Sequence, residues 1–328
     1  MRALVLVEPG RLVLRQQPTP VPGPGQVRIR TAACAICATD LEMIDGSDRS
    51  FYPSVLGHEW SGVVDAFGDS ADRELLGVPC VAENALEGGC EVGFECSGGY
   101  GEYFVTETAN IHPLPEDFPL VPAALIEPLA VAVRGVNKLR SEDASRALII
   151  GDGPIGLMCT CLLRQDGVGE IVLVGGRAGR LRLAADLGAS HVHNYHHDDG
   201  KGLRPLISAE SSSGFPVVIE ASGSASGIEL ALDVADRCGQ ILVIGVYGEA
   251  RAGFLWNHLL HRELELIGSN ASAGAWSEAV RLAVSGTVPL DRFVTRVFPV
   301  SRWRDAFDVV RSCAPDVVKV VLDWSATG

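Results

Sequence analysis

Hydrophobic and polar positions follow two rhythms along this chain, and the change comes near residue 125. Before it, apolar residues fall in short runs or in strict alternation. Arg2–Val7 is a run rich in β-formers, and Gln26–Thr31 alternates as a half-buried strand does. Pro18–Gly25 is a turn-rich break, and Gly62–Gly68 and Gly101–Thr106 predict further short strands. Short strands between Gly/Pro turns predict an antiparallel barrel or sandwich. After residue 125, Glu127–Lys138 has apolar residues at helical spacing. Strand-like and helix-like runs then alternate through Ala147–Ile150, Ile155–Gln165, Glu170–Val174, Arg180–Leu187, Val217–Glu220, Ile228–Asp236 and Gln240–Gly245. Continuous Val/Ile/Leu runs separated by helices predict a parallel, doubly wound sheet. A helix at Trp276–Val284 and a strand at Val317–Leu322 close the chain. The expected class is therefore α/β, with a β-rich domain over 1–130 completed by 270–328, and a doubly wound domain over 131–269.

Composition narrows the partners. The 328 residues suit about two domains. With 47% apolar and 21% charged residues the chain has ample core material, which excludes wholesale disorder. The 27 basic and 41 acidic residues leave a net charge of −14, and no Lys/Arg-rich run is present. Nucleic acid and anionic membrane surfaces are thereby disfavoured, and a small molecule is expected. The apolar start is too short for a signal peptide, and the stretch Ala147–Leu163 is broken by Gly151, Asp152, Gly153 and Pro154. These features predict a cytoplasmic protein whose nine cysteines are reduced thiols outside any closed disulfide framework.

Gly151-Asp152-Gly153-Pro154-Ile155-Gly156 stands between a strand-like run and a helix-like run. In that setting Gly-x-Gly-x-x-Gly has a mechanism. The first glycine permits the tight turn, the second lets the backbone approach a pyrophosphate, and the third lets helix and strand pack closely. The anion rests on unpaired N–H groups at the helix start, where Pro154 and Ile155 lie. The fingerprint next requires an acid about 20 residues on, to hold a ribose 2′-hydroxyl. Here the second strand runs into Gly175-Gly176-Arg177, which lacks the acid and leaves room. Arg177 supplies a planar fork suited to phosphate, and Arg180 follows one turn later. This exchange predicts NADP(H) in preference to NAD(H). Ala221, Ser222, Gly245 and Val246 end later parallel strands and are expected along the same cofactor. His191, His193, His196 and His197, beside Asp198-Asp199, read as a solvated loop rather than a second metal site.

Cys37-Ala38-Thr39-Asp40 and Gly57-His58-Glu59 fall in the β-rich part. Thiolate, imidazole and carboxylate suit zinc, although singly each is an ordinary residue. Together with the glycine-rich loop they resemble the zinc-dependent medium-chain dehydrogenases and reductases, of alcohol and polyol type, over essentially the whole chain. The resemblance rests on Cys37–Asp40, Gly57-His58-Glu59-Trp60-Ser61-Gly62, Gly99-Tyr100-Gly101-Glu102-Tyr103, Ile126-Glu127-Pro128-Leu129-Ala130 and Gly151–Gly156, all in the family's order. It implies a GroES-like catalytic domain and a Rossmann nucleotide-binding domain. It implies that Cys37 and His58 bind a catalytic zinc. Glu59 would be a direct or exchangeable ligand, and Glu127 would ligate zinc or hold its water. Thr39 matches the hydroxyl that takes the alcohol proton, and Asp40 the acid that orients the histidine. The Glu-Pro-Leu-Ala form is similar to the sorbitol and threonine dehydrogenase branch. Gly175, Gly176, Arg177 and Tyr195 resemble the surroundings of the 2′-phosphate in NADP-specific relatives.

Three departures matter. The stretch Cys80–Tyr100 is short and holds only Cys80, Cys90 and Cys96, without a C-x2-C pair, so one catalytic zinc and no structural zinc are expected. Cys34 reads as a packed thiol. Glu42 stands where the family often ends its proton relay with histidine, and is the expected relay end here. The implied activity is hydride transfer between NADP(H) and a secondary alcohol or ketone. A polar polyol, sugar, amino alcohol or (amino)cyclitol is expected, with Glu83, Asn84 and Glu102 suiting a hydroxylated or cationic substrate. Two other readings share the scaffold: a zinc-free quinone or enoyl reductase, and a non-catalytic NADPH-binding protein. The resemblance also implies a homodimer or homotetramer paired through the strand near Leu264–Gly268.

Overall fold

The computed structural model describes residues 1–47, 49–68, 73–198 and 214–326. The chain divides into two compact units, Met1–Ala130 with Trp276–Gly328, and Val131–Ala275.

The first unit is organised by strand Gln26–Ala35. From Val27 to Ala35 it pairs with Glu59–Phe67 on one side. On the other side residues 26–30 pair with Tyr103–Glu107 and residues 33–35 with Lys319–Asp323. The sheet runs Val294–Pro299, Lys319–Asp323, Gln26–Ala35, Glu59–Phe67, Pro79–Ala82, Ile111–Pro113. It is mixed rather than purely antiparallel, because Val294–Pro299 and Lys319–Asp323 pair in parallel. A parallel pair needs a crossover, and helix Trp303–Arg311 lies between the two strands in sequence. That helix went unread although Trp303, Ala306 and Phe307 give it a buried face at helical spacing. The alternation in Gln26–Thr31 is real: Val27 and Ile29 are buried in a core that also holds Met43, Trp60, Tyr100 and Phe104.

The second unit holds a six-stranded, all-parallel sheet in the order His191–Asn194, Glu170–Gly175, Arg146–Ile150, Phe215–Glu220, Ala235–Val243, Glu265–Gly268. The order reverses between Arg146–Ile150 and Phe215–Glu220, which puts the ligand crevice of a doubly wound sheet at their carboxyl ends. Ala147, Leu148 and Ile149 are fully buried, as a central strand covered on both faces requires. Glu265–Gly268 is an edge. Among the described residues no helix is long and apolar enough to cross a membrane.

Candidate active site

Cys37, His58 and Glu59 meet because neighbouring strands begin or end at one place. Ile36 is still tied to the sheet through its N–H to Val320 O at 2.9 Å. The chain then turns, and Cys37 caps helix Ala38–Asp45 while its own N–H donates to Asp40 Oδ2 at 2.8 Å. The adjacent strand is entered through Gly57, at φ +97°, where a Cβ would stand 2.7 Å from the Tyr100 ring and 2.9 Å from Cys34 Sγ. Only glycine passes there. Each of Cys37, His58 and Glu59 offers a ligand atom within 4.8 Å of the others.

The donor set is one that zinc takes, and the local charge favours a cation. Burial alone would lower the His58 pKa, but the Asp40 carboxylate and Cys37 override it and hold it well above the usual histidine range. Asp40 Oδ1 lies 3.3 Å from His58 Nδ1, and Asp40 Oδ2 also accepts from Tyr100 Oη at 2.9 Å. Asp40 is thus an anchored acid behind the imidazole, the arrangement a metal-binding histidine needs. Phe94 stacks on the same imidazole, with ring centroids 4.5 Å apart.

Glu127, at the start of helix Ile126–Val136, is not one of the three that meet within 4.8 Å. It belongs to the same field: burial pushes its carboxyl up to about 7, with His58 and Lys319 opposing and Glu59 and Asp40 adding. Half-buried Thr39 accepts from the Cys37 thiol at 3.7 Å. Glu42 lies one turn further along the helix and is exposed.

Lys319 was missed by the sequence reading. Its Nζ donates to both oxygens of Glu59, to Oε2 at 2.6 Å, and both side chains are buried. Burial would discharge this ammonium, but Glu59 and Cys37 keep its pKa raised. The available signal was a lone charge inside Val317-Val318-Lys319-Val320-Val321-Leu322. Asn84 and Glu102, expected near substrate, are committed elsewhere. Asn84 Nδ2 donates to His58 O at 2.8 Å and its Oδ1 accepts from Trp60 Nε1 at 3.0 Å, while Glu102 pairs with Arg2 at 2.7 Å. The expectation of reduced cysteines throughout also fails. Cys90 and Cys96 form a disulfide, brought to a Cα separation of 6.0 Å by a turn in which Gly93 N–H donates to Cys96 O. Cys34 and Cys80 are buried free thiols, and burial raises both.

In the second unit the glycine-rich loop has the geometry its residues suggest. Gly151 sits at φ +120°, and a Cβ there would be 2.8 Å from the Ala221 backbone. A Cβ on Gly156 would lie 2.1 Å from Gly151 O, whereas Gly153 faces nothing within 4 Å. The open approach lies at the N-terminus of helix Pro154–Gln165, with Pro154 and Ile155 in its first turn. Glu220, fully buried, binds the strand-end segments together. Its carboxylate accepts from Ser222 N at 2.9 Å, Gly223 N at 3.2 Å and Tyr247 Oη at 2.6 Å. Ala221 and Gly245 are fixed by backbone bonds to Ile150 O and Glu220 O, and Val246 is exposed.

The room expected at the end of Glu170–Gly175 is taken. A Cβ at Gly175 would be 2.5 Å from Asp152 Cβ. A Cβ at Gly176 would be 2.4 Å from Tyr195 Oη and 2.9 Å from His196 Nε2. Asp152 Oδ2 accepts from Gly176 N at 3.0 Å and Arg177 N at 2.7 Å. An acid is therefore present at this strand end after all, supplied by the loop. His196 borders the same turn instead of standing free in a loop. Among the described residues the histidines 191–197 join no metal-like group, and Asp199 lies outside those residues.

Residues 23–116 match the family model described as "Alcohol dehydrogenase GroES-like domain", and residues 154–285 that of "Zinc-binding dehydrogenase". The chain is 29% identical to L-threonine 3-dehydrogenase of Stenotrophomonas maltophilia, covering 99% of this chain and 100% of that one. It is 26% identical to D-arabinitol dehydrogenase 1 of Uromyces fabae, covering 97% of each. Among solved structures, a zinc-binding dehydrogenase of Sinorhizobium meliloti bound to NADP superposes with a TM-score of 0.90 at 26% identity, covering 98% of each chain.

Proposed function

The chain belongs to the zinc-binding medium-chain dehydrogenases, on the polyol- and threonine-dehydrogenase-like side of that family, and from this premise we propose that it transfers hydride between NADP(H) and a secondary alcohol or ketone. The observation that carries the reading is the convergence of Cys37, His58 and Glu59 within 4.8 Å, in a chain that also has a Gly-x-Gly-x-x-Gly loop at a doubly wound switch point. Cys37, His58 and Glu59 hold one zinc, with Glu127 as the nearby carboxylate that completes the set or holds water. When bound, zinc polarises the substrate oxygen and the nicotinamide exchanges the hydride. Asp40 fixes the orientation of His58. Lys319 neutralises Glu59, so that this buried carboxylate can be held beside the thiolate. Thr39 takes the alcohol proton, and exposed Glu42 passes it to water. No second zinc is proposed, because Cys90 and Cys96 are bonded to each other and Cys80 is a core residue.

Gly151, Gly153 and Gly156 carry the pyrophosphate, with Ala221, Ser222, Gly245 and Val246 towards the nicotinamide. Arg177, Arg180 and Tyr195 face the 2′-phosphate and favour NADP(H). The substrate is a polar alcohol: a polyol, sugar, amino alcohol or (amino)cyclitol. Dependence on the nicotinamide pool fits a cytoplasmic setting. Assembly as a dimer or tetramer follows from the edge strand Glu265–Gly268 and from Trp256 and Leu260 nearby, exposed at 67% and 68%; a strict monomer by light scattering refutes that part. The function is tested by initial rates on a panel of polyols and aminocyclitols with NADP⁺ and NAD⁺. Turnover of at least one with NADP⁺ is expected. Cofactor binding without turnover of any alcohol, with reduction of quinones or enones instead, overturns it.

A further inference from the structure

The missing acid and the filled room at the strand end are one feature. In doubly wound dinucleotide sites the discriminating carboxylate grows from the end of the second strand. Here that origin is closed: any side chain on Gly175 would begin 2.5 Å from Asp152 Cβ and 2.7 Å from its Oδ2. Strand-end acid and loop acid are alternatives for a single volume, and this chain uses the loop.

We propose that Asp152 tunes the cofactor preference created by Arg177 and Arg180, as a carboxylate delivered from the phosphate loop to the turn that carries Arg177. The inference rests on the reading of Gly151–Gly156 as a dinucleotide loop with Arg177 at the ribose 2′ position. The two oxygens of Asp152 do different work. Oδ2 takes the N–H groups of Gly176 and Arg177 at 3.0 and 2.7 Å, which fastens the turn and aims its arginine. Oδ1 faces the guanidinium groups of Arg177 and Arg180 at 3.8 and 4.0 Å. The distances are those of charge attraction rather than of closed bidentate pairs, for which N···O contacts are about 2.7–2.9 Å. A 2′-phosphate drawn to this fork therefore meets a buried negative charge already there. An unphosphorylated ribose meets an acceptor for its hydroxyl donors. Asp152 thus holds the arginines in place for NADP(H) while tempering the preference they create, and its charge, not its shape, is the tempering part.

The experiment uses the intact protein and two fragments that isolate this end of the cofactor, 2′,5′-ADP and 5′-AMP, titrated by calorimetry. D152N keeps an acceptor oxygen for the turn and removes the charge. The ratio of affinities for 2′,5′-ADP over 5′-AMP is expected to rise about tenfold or more, with the same direction in NADP⁺ against NAD⁺ affinity. D152S, shorter but still an accepting and uncharged side chain, is expected to move the ratio the same way and serves if D152N does not fold. An unchanged ratio, or one moving towards 5′-AMP, overturns the role of Asp152. The premise fails separately: an unmodified protein that binds 5′-AMP tighter than 2′,5′-ADP refutes the reading of Arg177, while a rise of the ratio in D152N still assigns the discriminating charge to Asp152.

Discussion

The metal-side cluster is assembled from Cys37, Asp40, His58, Glu59 and Lys319, brought together where strands of one sheet begin and end. The cluster proposed for the adenosine end is assembled from neighbouring turns, with Asp152, Gly175, Gly176, Arg177 and Tyr195 supplied by the ends of three adjacent parallel strands, Arg146–Ile150, Glu170–Gly175 and His191–Asn194. Nearly every charge in the first is buried and matched: Glu59 by Lys319, Asp40 by His58 and Tyr100. In the second, the rim is open to water around a buried Asp152, with Tyr195 exposed at 52% and the Arg177 side chain at 34%. The difference teaches what a substitution does in each place. A buried, matched network fails as a unit, because removing one partner strands the other in low dielectric. A half-solvated pocket is graded, because water and salt replace part of whatever is removed.

The largest effect is therefore expected at Lys319. Lys319→Ala leaves the Glu59 carboxylate buried without its counter-charge and is expected to cost about 3–5 kcal/mol of stability in zinc-free protein, read by denaturant unfolding. Zinc loading offsets part of that loss if Glu59 is a ligand. A loss below about 1 kcal/mol places Glu59 in water and breaks the contrast between the sites. The pair was not legible because its members are 260 residues apart, and only the register of Lys319–Asp323 and Glu59–Phe67 on either side of Gln26–Ala35 brings them together. The meeting of Cys37, His58 and Glu59 was legible through their short motifs, as were most of the alternating strands and helices between residues 146 and 243, though not helix Trp303–Arg311. Periodicity finds an element whose apolar face is long; it passed over His191–Asn194, whose residues are exposed or half-buried. It also could not show that the side chain of Asp152, two residues beyond the end of strand Arg146–Ile150, turns towards Gly175.

A smaller, graded effect is expected at Arg177. Arg177→Ala removes a charged donor worth about 1.5–3 kcal/mol when fully desolvated, reduced here by exposure. NADP(H) affinity is expected to fall about tenfold with NAD(H) affinity little changed, as read by fluorescence titration of the reduced cofactors. An equal fall for both makes Arg177 a holder of the turn and not a reader of the 2′ position. Gly175→Asp, the usual route to an NAD-preferring site, is not expected to reverse the preference here, since Asp152 fills the volume it needs.

The central claim is that one buried zinc, held by Cys37 and His58 with carboxylate support, makes this chain a dehydrogenase. Elemental analysis of the purified protein, followed through chelation and zinc readdition with NADP⁺-dependent alcohol oxidation measured at each stage, tests it most directly. The account predicts one zinc per chain, turnover that vanishes on chelation and returns with zinc, and in Cys37→Ser a loss of both metal and turnover with NADP(H) binding retained. Two zincs per chain, none after loading, or turnover that survives chelation contradicts it.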